Sequence, residues 1–274
     1  MNILEAIIAH KRIEVEQRKL ATPVEVLQQQ AFYARPPLSL KQFLLNETKT
    51  GIIAEFKRRS PSKGSINEDA DVVDVTTAYA NNGASCLSIL TDELFFGGST
   101  EDLIKARVNQ IPILRKDFMI DEYQIAEAKA MGADVILLIA ACLTPGEVKR
   151  LAAYAKQLGL EVLLELHAAE ELEHICDETE MVGINNRDLK TFKVDIERSL
   201  RMAQQIPDTK IKVAESGISS IENILLFKQN GFKGFLIGEN FMKDANPGKA
   251  FEEFVQQLKK SLPIGGGQKE AYEY

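Results

Sequence analysis

Glu55 and Lys57 stand two residues apart at the end of an apolar run, inside the stretch GIIAEFKRRSPSKG at positions 51–64. On a β-strand, residues two apart face the same side. A carboxylate and an amine on a buried strand are costly unless they pair or act on a ligand. Arg58, Arg59 and Lys63 follow, with Ser60, Pro61, Ser62 and Gly64 supplying turn chemistry. The stretch reads as a strand that delivers an acid–base pair into a pocket, then a basic loop able to close over an anion. A surface ion pair followed by a solvated loop is the alternative reading.

Other apolar runs end in the same way. One runs into Thr91-Asp92-Glu93 and then Phe95-Phe96-Gly97-Gly98. Another ends in Arg115-Lys116-Asp117-Phe118, and later ones in Glu165, in Asn185-Asn186-Arg187, in Glu215-Ser216-Gly217 and in Gly238-Glu239. The run before Ala140-Ala141-Cys142 offers nothing polar. Buried charges need one another or a ligand, so one shared active site accounts for this set better than core balance does. The glycines at 217 and 238 allow a ligand to approach the backbone closely. They follow the last two runs, where barrels hold a phosphate on backbone N–H groups; two ordinary glycine turns are the alternative.

The elements that must position these residues follow a regular alternation. Strand-like runs fall at 52–56, 86–90, 111–114, 135–140, 162–166, 181–184, 211–214 and 235–237. Between them, apolar residues recur at helical spacing over 71–80, 100–108, 122–130, 145–158, 168–176, 196–205 and 219–229. Asp121, Thr144-Pro145 and Asp195 give helix starts, and Gly83, Gly132, Gly159 and Gly231 give helix ends. The runs are nearly continuous in apolar residues, as in parallel sheets buried on both faces. Their number is what a (β/α)8 TIM barrel requires, and in that fold chemistry sits at the C-terminal ends of the strands. A doubly wound open sheet is the runner-up, but no GxGxxG follows the first strand. Residues 1–48 are expected to form an N-terminal helical extension packed on the barrel, with helices at 3–19, 23–30 and 40–45. It would cap the bottom of the barrel or lie across the top and shield the site. Residues 49–262 are expected to form the barrel, and 263–274 a disordered tail.

The chain has 274 residues and a formal net charge of -7, with 45% hydrophobic and 27% charged residues. The acidic balance argues against general nucleic-acid binding, so the basic cluster at 57–59 suits a small anionic ligand. Cys86, Cys142 and Cys176 form no CxxC pair and read as free thiols in a reducing compartment. His10, His167 and His174 add no metal-ligand spacing. No signal peptide or membrane-spanning stretch is visible. The expectation is a cytoplasmic protein without membrane contact, and a monomer by default.

Several motifs closely resemble the indole-3-glycerol phosphate synthase family of tryptophan biosynthesis: IIAEFKRRSPSKG, LTDELFFGGS, ILRKDFMIDEYQI, LLELH, GINNRDL, VAESGI and LIGENFM. The first and third are specific; AESGI and LIG are shared more widely among phosphate-binding barrels. The resemblance covers essentially the whole barrel and the helical extension. It implies ring closure, decarboxylation and dehydration of 1-(2-carboxyphenylamino)-1-deoxyribulose 5-phosphate, giving indole-3-glycerol phosphate, CO2 and water. It implies no metal and no organic cofactor. By the same resemblance Lys116 is the general acid at the ketone, and Lys57 holds the substrate carboxylate. Glu165, Glu55 and Lys57 share the dehydration roles in an undecided division, and Asn185 and Glu215 position hydroxyls and lysines. Phe118 is an apolar wall for the aromatic ring. Ser60, Arg187, Ser216, Gly217 and Gly238 take the phosphate and its neighbourhood. Some relatives carry Ser where Glu239 stands; the Glu239 side chain is expected to point away from a dianion, leaving its backbone N–H as the donor. Two competitors remain at this stage. One is an aldolase-type barrel with Lys116 as Schiff-base nucleophile. The other is a binding barrel that has lost catalysis.

Overall fold

Eight parallel strands close into a barrel in chain order: β1 (Ile52–Phe56), β2 (Cys86–Leu90), β3 (Ile113–Lys116), β4 (Val135–Ile139), β5 (Glu161–Leu166), β6 (Met181–Asn185), β7 (Ile211–Glu215) and β8 (Phe232–Ile237). The last pairs with the first, Ala54 opposite Ile237. The computed structural model describes residues 2–188 and 193–262. The tail expected at 263–274 lies outside the described residues.

Alternation along each strand sets what the barrel holds. Ala54, Leu87, Ile89, Ile113, Ile136, Leu138, Val182 and Ala214 face outward and pack under the helices. Ile53, Leu114, Leu137, Leu163, Met181, Val213 and Leu236 face inward and fill the lower barrel. Two residues further on, the inward series becomes Glu55, Lys116, Ile139, Glu165, Gly183, Glu215 and Gly238. The period-two rule thus converts an apolar plug into a polar floor in one step along the strands.

The helices are α1 (Ile3–Ala21), α2 (Val24–Leu27), α3 (Leu40–Leu45), α4 (Val72–Asn81), α5 (Glu93–Phe96), α6 (Thr100–Ala106), α7 (Glu122–Met131), α8 (Pro145–Gln157), α9 (Ile196–Ala203), α10 (Ile221–Gln229), α11 (Glu239–Met242) and α12 (Pro247–Ser261). Asn2 and Glu5 cap the start of α1 reciprocally. The N-terminal helices serve both ends of the barrel. In α3, Leu40 and Leu44 are buried with Ile53, Val213 and Leu236, closing the bottom. The first turns of α1, from Asn2 to Ile7, line the cavity at the opposite end.

Several boundaries differ from the sequence reading. β3 starts at Ile113 and extends through Arg115 and Lys116, because the ladder to β2 continues to Leu90 opposite Lys116. β8 starts at Phe232; Lys233 and Gly234 interrupt its apolar run where the register with β7 shifts. The segment at 168–176 is a 3-10 helix, Ala169–His174, tightened by the Glu171 carboxylate accepting from the N–H groups of His167 and Ala168. α12, absent from the expected elements, starts at the Asn246 cap with Pro247 in its first turn. Its Phe251 packs against Tyr79 of α4 and Phe241 of α11.

Candidate active site

The polar floor opens into a cavity of about 1070 Å³ at the C-terminal ends of the strands. Every residue named from the sequence for the site lines it: Glu55, Lys57 and Ser60 after β1, Lys116 and Phe118 after β3, Glu165 on β5, Asn185 and Arg187 after β6, Glu215, Ser216 and Gly217 after β7, and Gly238 and Glu239 after β8.

Two ion pairs stand on this floor. Lys57 Nζ lies 2.6 Å from Glu55 Oε1, so the two-residue spacing does bring the pair to one face. Lys116 Nζ lies 3.5 Å from Glu165 Oε2. The other Glu165 oxygen accepts from Asn185 Nδ2 at 2.9 Å. Asn185 is held in turn: its Oδ1 accepts the Arg187 N–H at 3.0 Å, and its carbonyl accepts from Arg198. Burial works against both charges of the Lys116–Glu165 pair. The Glu165, Glu55 and Glu215 carboxyls outweigh it at Lys116, whose pKa stands above the ordinary lysine value. Lys116 and His167 outweigh it at Glu165, which stays well below the usual carboxylate range.

Glu215 is the opposite case. Burial first, and then the neighbouring Glu165 charge, push its carboxyl well above the ordinary range. Its charged form is thereby disfavoured, as expected when carboxyls share one site. Its Oε1 has no hydrogen-bond partner among the described residues. That leaves a buried carboxyl free to meet a substrate hydroxyl.

Two glycines make room for these carboxyls. A Cβ at Gly183 would lie 1.9 Å from Glu215 Oε1, and one at Gly238 would lie 2.6 Å from Glu55 Oε1. Neither clash was legible in the sequence, where Gly238 was read only for phosphate. Gly183→Ala is expected to displace the Glu215 carboxyl and lower kcat on the order of 10²-fold, since misplacement of about 1 Å has that cost. Steady-state kinetics beside far-UV circular dichroism checks it; a kcat within twofold of wild type would show that Glu215 needs no fixed position.

The phosphate end of the cavity is built differently. Ser216 has φ 65° and Gly217 φ 69°, two successive left-handed residues. Such strain at a non-glycine residue persists only where surroundings hold it, and Asn186 Nδ2 donates to the Ser216 carbonyl at 2.8 Å. Arg187 and Lys63 approach from the neighbouring loops. The Glu239 carboxylate meets the site's cations: Arg187 Nη2 and Lys63 Nζ each lie 3.4 Å from it. Arg58, read as part of the basic loop, belongs elsewhere; it pairs with Asp102 and lies over the Phe56 ring. Phe118 stacks at 5.9 Å on Phe96, forming an apolar wall.

A family described as indole-3-glycerol phosphate synthase matches residues 4–254 of the sequence. The chain belongs to this family. A relative of that name from Bacteroides thetaiotaomicron is 50% identical over 94% of this chain and 99% of its own length. One from Salinibacter ruber is 44% identical over 95% of this chain and 97% of its own. Among solved structures, a chain of the tryptophan synthase complex from Pyrococcus furiosus superposes with a TM-score of 0.57 at 16% identity, covering 77% of this chain and 98% of that one. That likeness concerns the fold alone.

Within an indole-3-glycerol phosphate synthase barrel, several residues at this site escaped the sequence reading. Asn186, fully buried, supports the Ser216 turn. His167 sits 2.7 Å from Glu165, and its signal was its place two residues beyond Glu165 on the same face. Lys11, fully buried on α1, lies 3.0 Å from both Asp92 and Asp117 at the ends of β2 and β3. Its signal was a lone charge between Ile7 and Val15 on the apolar stripe of a helix.

Proposed function

We infer that the chain catalyses the reaction of its family. It closes the ring of 1-(2-carboxyphenylamino)-1-deoxyribulose 5-phosphate and releases CO2 and water to give indole-3-glycerol phosphate in tryptophan biosynthesis. The observation that carries this reading is the Lys116–Glu165 pair, 3.5 Å apart, on the floor of a cavity with an apolar aromatic wall on one side and cations on another. The substrate has a matching aromatic ring, ketone and phosphate.

The roles follow from position. The anilino nitrogen makes the ring carbon bearing the carboxylate nucleophilic, and that carbon attacks the ketone. Lys116 stays protonated until a stronger base forms, and the developing alkoxide is one, so Lys116 is the general acid for closure. Lys57 holds the substrate carboxylate and folds a flexible molecule into a reactive pose. Glu55, Lys57 and Glu165 are then placed for the dehydration. Asn185 holds Glu165, and Glu215 bonds a substrate hydroxyl. Phe118 packs on the aromatic ring. Ser60, Arg187, Ser216, Gly217 and Gly238 receive the phosphate, with the Glu239 N–H beside them. An aldolase mechanism needs a neutral Lys116 amine, and the Glu165 and Glu55 carboxylates that favour the ammonium weigh against it. A site assembled from one barrel needs no second copy, which supports a monomer, and three free cysteines suit the cytoplasm.

The test is direct. The chain has no Trp, so its own emission does not mask indole fluorescence. The purified protein mixed with the substrate and EDTA is expected to give rising indole emission. Substrate binding without emission would sink the catalytic reading.

A further inference from the structure

The proposed reaction consumes acid. The leaving oxygen takes two protons, one as the ketone closes and one as water departs. The methylene carbon beside the nitrogen returns one. The balance is one proton drawn from solvent in each turnover, which matches loss of a carboxylate as neutral CO2. A site sealed by a substrate therefore needs a route by which Lys116 regains its proton.

His167 is placed on such a route and has no other evident task. It is 7% exposed and lines the cavity. Its backbone is fixed by the bond from its N–H to Glu171. Nε2 lies 2.7 Å from Glu165 Oε1, out of line for a full hydrogen bond, and Nδ1 has no hydrogen-bond partner among the described residues. A buried ring with both nitrogens so available is rare in a purely structural role.

Resting on the reaction proposed above, we propose that His167 is a positioning residue that supplies protons to the site through Glu165, which hands them to Lys116. The Nε2 proton moves to Glu165 Oε1. A half-turn of the carboxyl, which releases Asn185 Nδ2 from one oxygen and re-forms that bond on the other, presents it on the Oε2 side, where Lys116 Nζ stands at 3.5 Å. Water in the cavity recharges the imidazole. The surrounding charges suit this. Glu165 on β5 and Glu171 on the 3-10 helix favour the imidazolium, Lys116 on β3 opposes it, burial pushes Glu215 on β7 toward its neutral form, and the Cys142 thiol, pushed up to about 12, is neutral. Burial disfavours the charged ring, but the two glutamates prevail and its pKa stands above the ordinary histidine value. His167 thus keeps its proton to higher pH than an ordinary histidine does.

The experiment is a pH profile of kcat for wild type and His167→Gln, from about pH 6 to 9. The expected loss at low pH is about 10–100-fold in kcat, near the lower end of the effect of a proton-transfer group. KM is expected to stay within about threefold, since the residue acts through another and not on binding. The sign is fixed by the donor being the imidazolium. Its contribution is complete below the His167 pKa and fades as pH rises through it, so the two profiles converge at high pH. Added imidazole is expected to restore part of the loss. A ratio of the two rates constant across pH, or an unchanged kcat, overturns the proposal. Glu171→Gln keeps the backbone bonds but removes one charge favouring the imidazolium, and is expected to move the alkaline limb to lower pH; an unmoved limb also overturns it. Absence of turnover by wild type would instead refute the reaction itself.

Discussion

Lys116→Met is expected to lower kcat about 10²–10⁴-fold, the usual contribution of a general acid, with the barrel intact. Methionine keeps the length and apolar stem of lysine, so the inward packing at the end of β3 survives. What disappears is the one cation in contact with Glu165 from across the barrel. Glu165 owes its low pKa first to overcoming burial through Lys116. Without that cation Glu165 keeps His167 and the Asn185 amide as partners, and the variant therefore folds without an unpaired buried charge. The loss should appear in kcat and in kcat/KM equally, because the donated proton matters only as the alkoxide develops. Stopped-flow indole fluorescence gives the rates, and circular dichroism with thermal melts gives the fold. A near-normal kcat in a folded variant would remove Lys116 from the chemistry. Loss of the helical signal would instead make Lys116 a structural residue.

The fold was legible because its two periodicities never conflict. Nearly continuous apolar runs alternate with helical stripes, and cap residues mark the joints. Asn2 with Glu5, Asp121 with Gln124, and Thr144 with Glu147 all form the reciprocal caps that such residues suggest. The misplaced boundaries have a local cause. At β3 and β8, charged or glycine residues sit inside strands whose pairing partners hold them there, and partners in space are invisible to a one-dimensional pattern. α12 went unread although Asn246 and Pro247 announce it, since attention to the strand count ends at β8.

The site was legible in its members but not in their states. Period-two reasoning assembled Glu55, Lys57, Lys116, Glu165 and Glu215 at one end of the barrel. It could not say that the Glu215 carboxyl is pushed up while that of Glu165 is held down, because that depends on which carboxyl lies nearest Lys116 and His167. Nor could it say that Arg58 is spent on Asp102, a partner on α6, while Arg187 and Lys63 converge on Glu239. Charges separated by 44 or more positions in sequence meet only in the folded chain. The cations of the basic loop are dispersed for that reason: Lys57 pairs with Glu55, Arg58 with Asp102 and Lys63 with Glu239.

Removing the buried ammonium of α1 tests how the extension holds the site. Lys11→Met is expected to destabilise the protein by about 3–5 kcal/mol, the usual cost of breaking a buried ion pair from one side. Lys11 is enclosed with Asp92 and Asp117, each within 3.0 Å, and Asp117 is shared with Arg115 and Thr91. Burial would raise the Asp117 pKa, but the Lys11 and Arg115 charges overcome it and hold the carboxyl well below the usual range. Its contribution to stability is therefore present above the unfolded carboxylate pKa and is lost as pH falls. In the variant Asp117 keeps its burial and loses the first of the cations that hold it ionised, so protonation relieves it. The gap between wild type and variant should then be widest near neutrality and narrow as pH falls through about 5 to 3. Urea unfolding midpoints across that range measure it. A gap that does not narrow would place the loss in packing and not in stranded carboxylates. The site should feel the change as well, since Asp117 Oδ1 accepts the Phe118 N–H at 2.8 Å and Asp117 directly follows Lys116. A rise in KM with the Phe118 wall loosened, at temperatures where the variant is still folded, would show that the extension positions the catalytic face rather than only covering it.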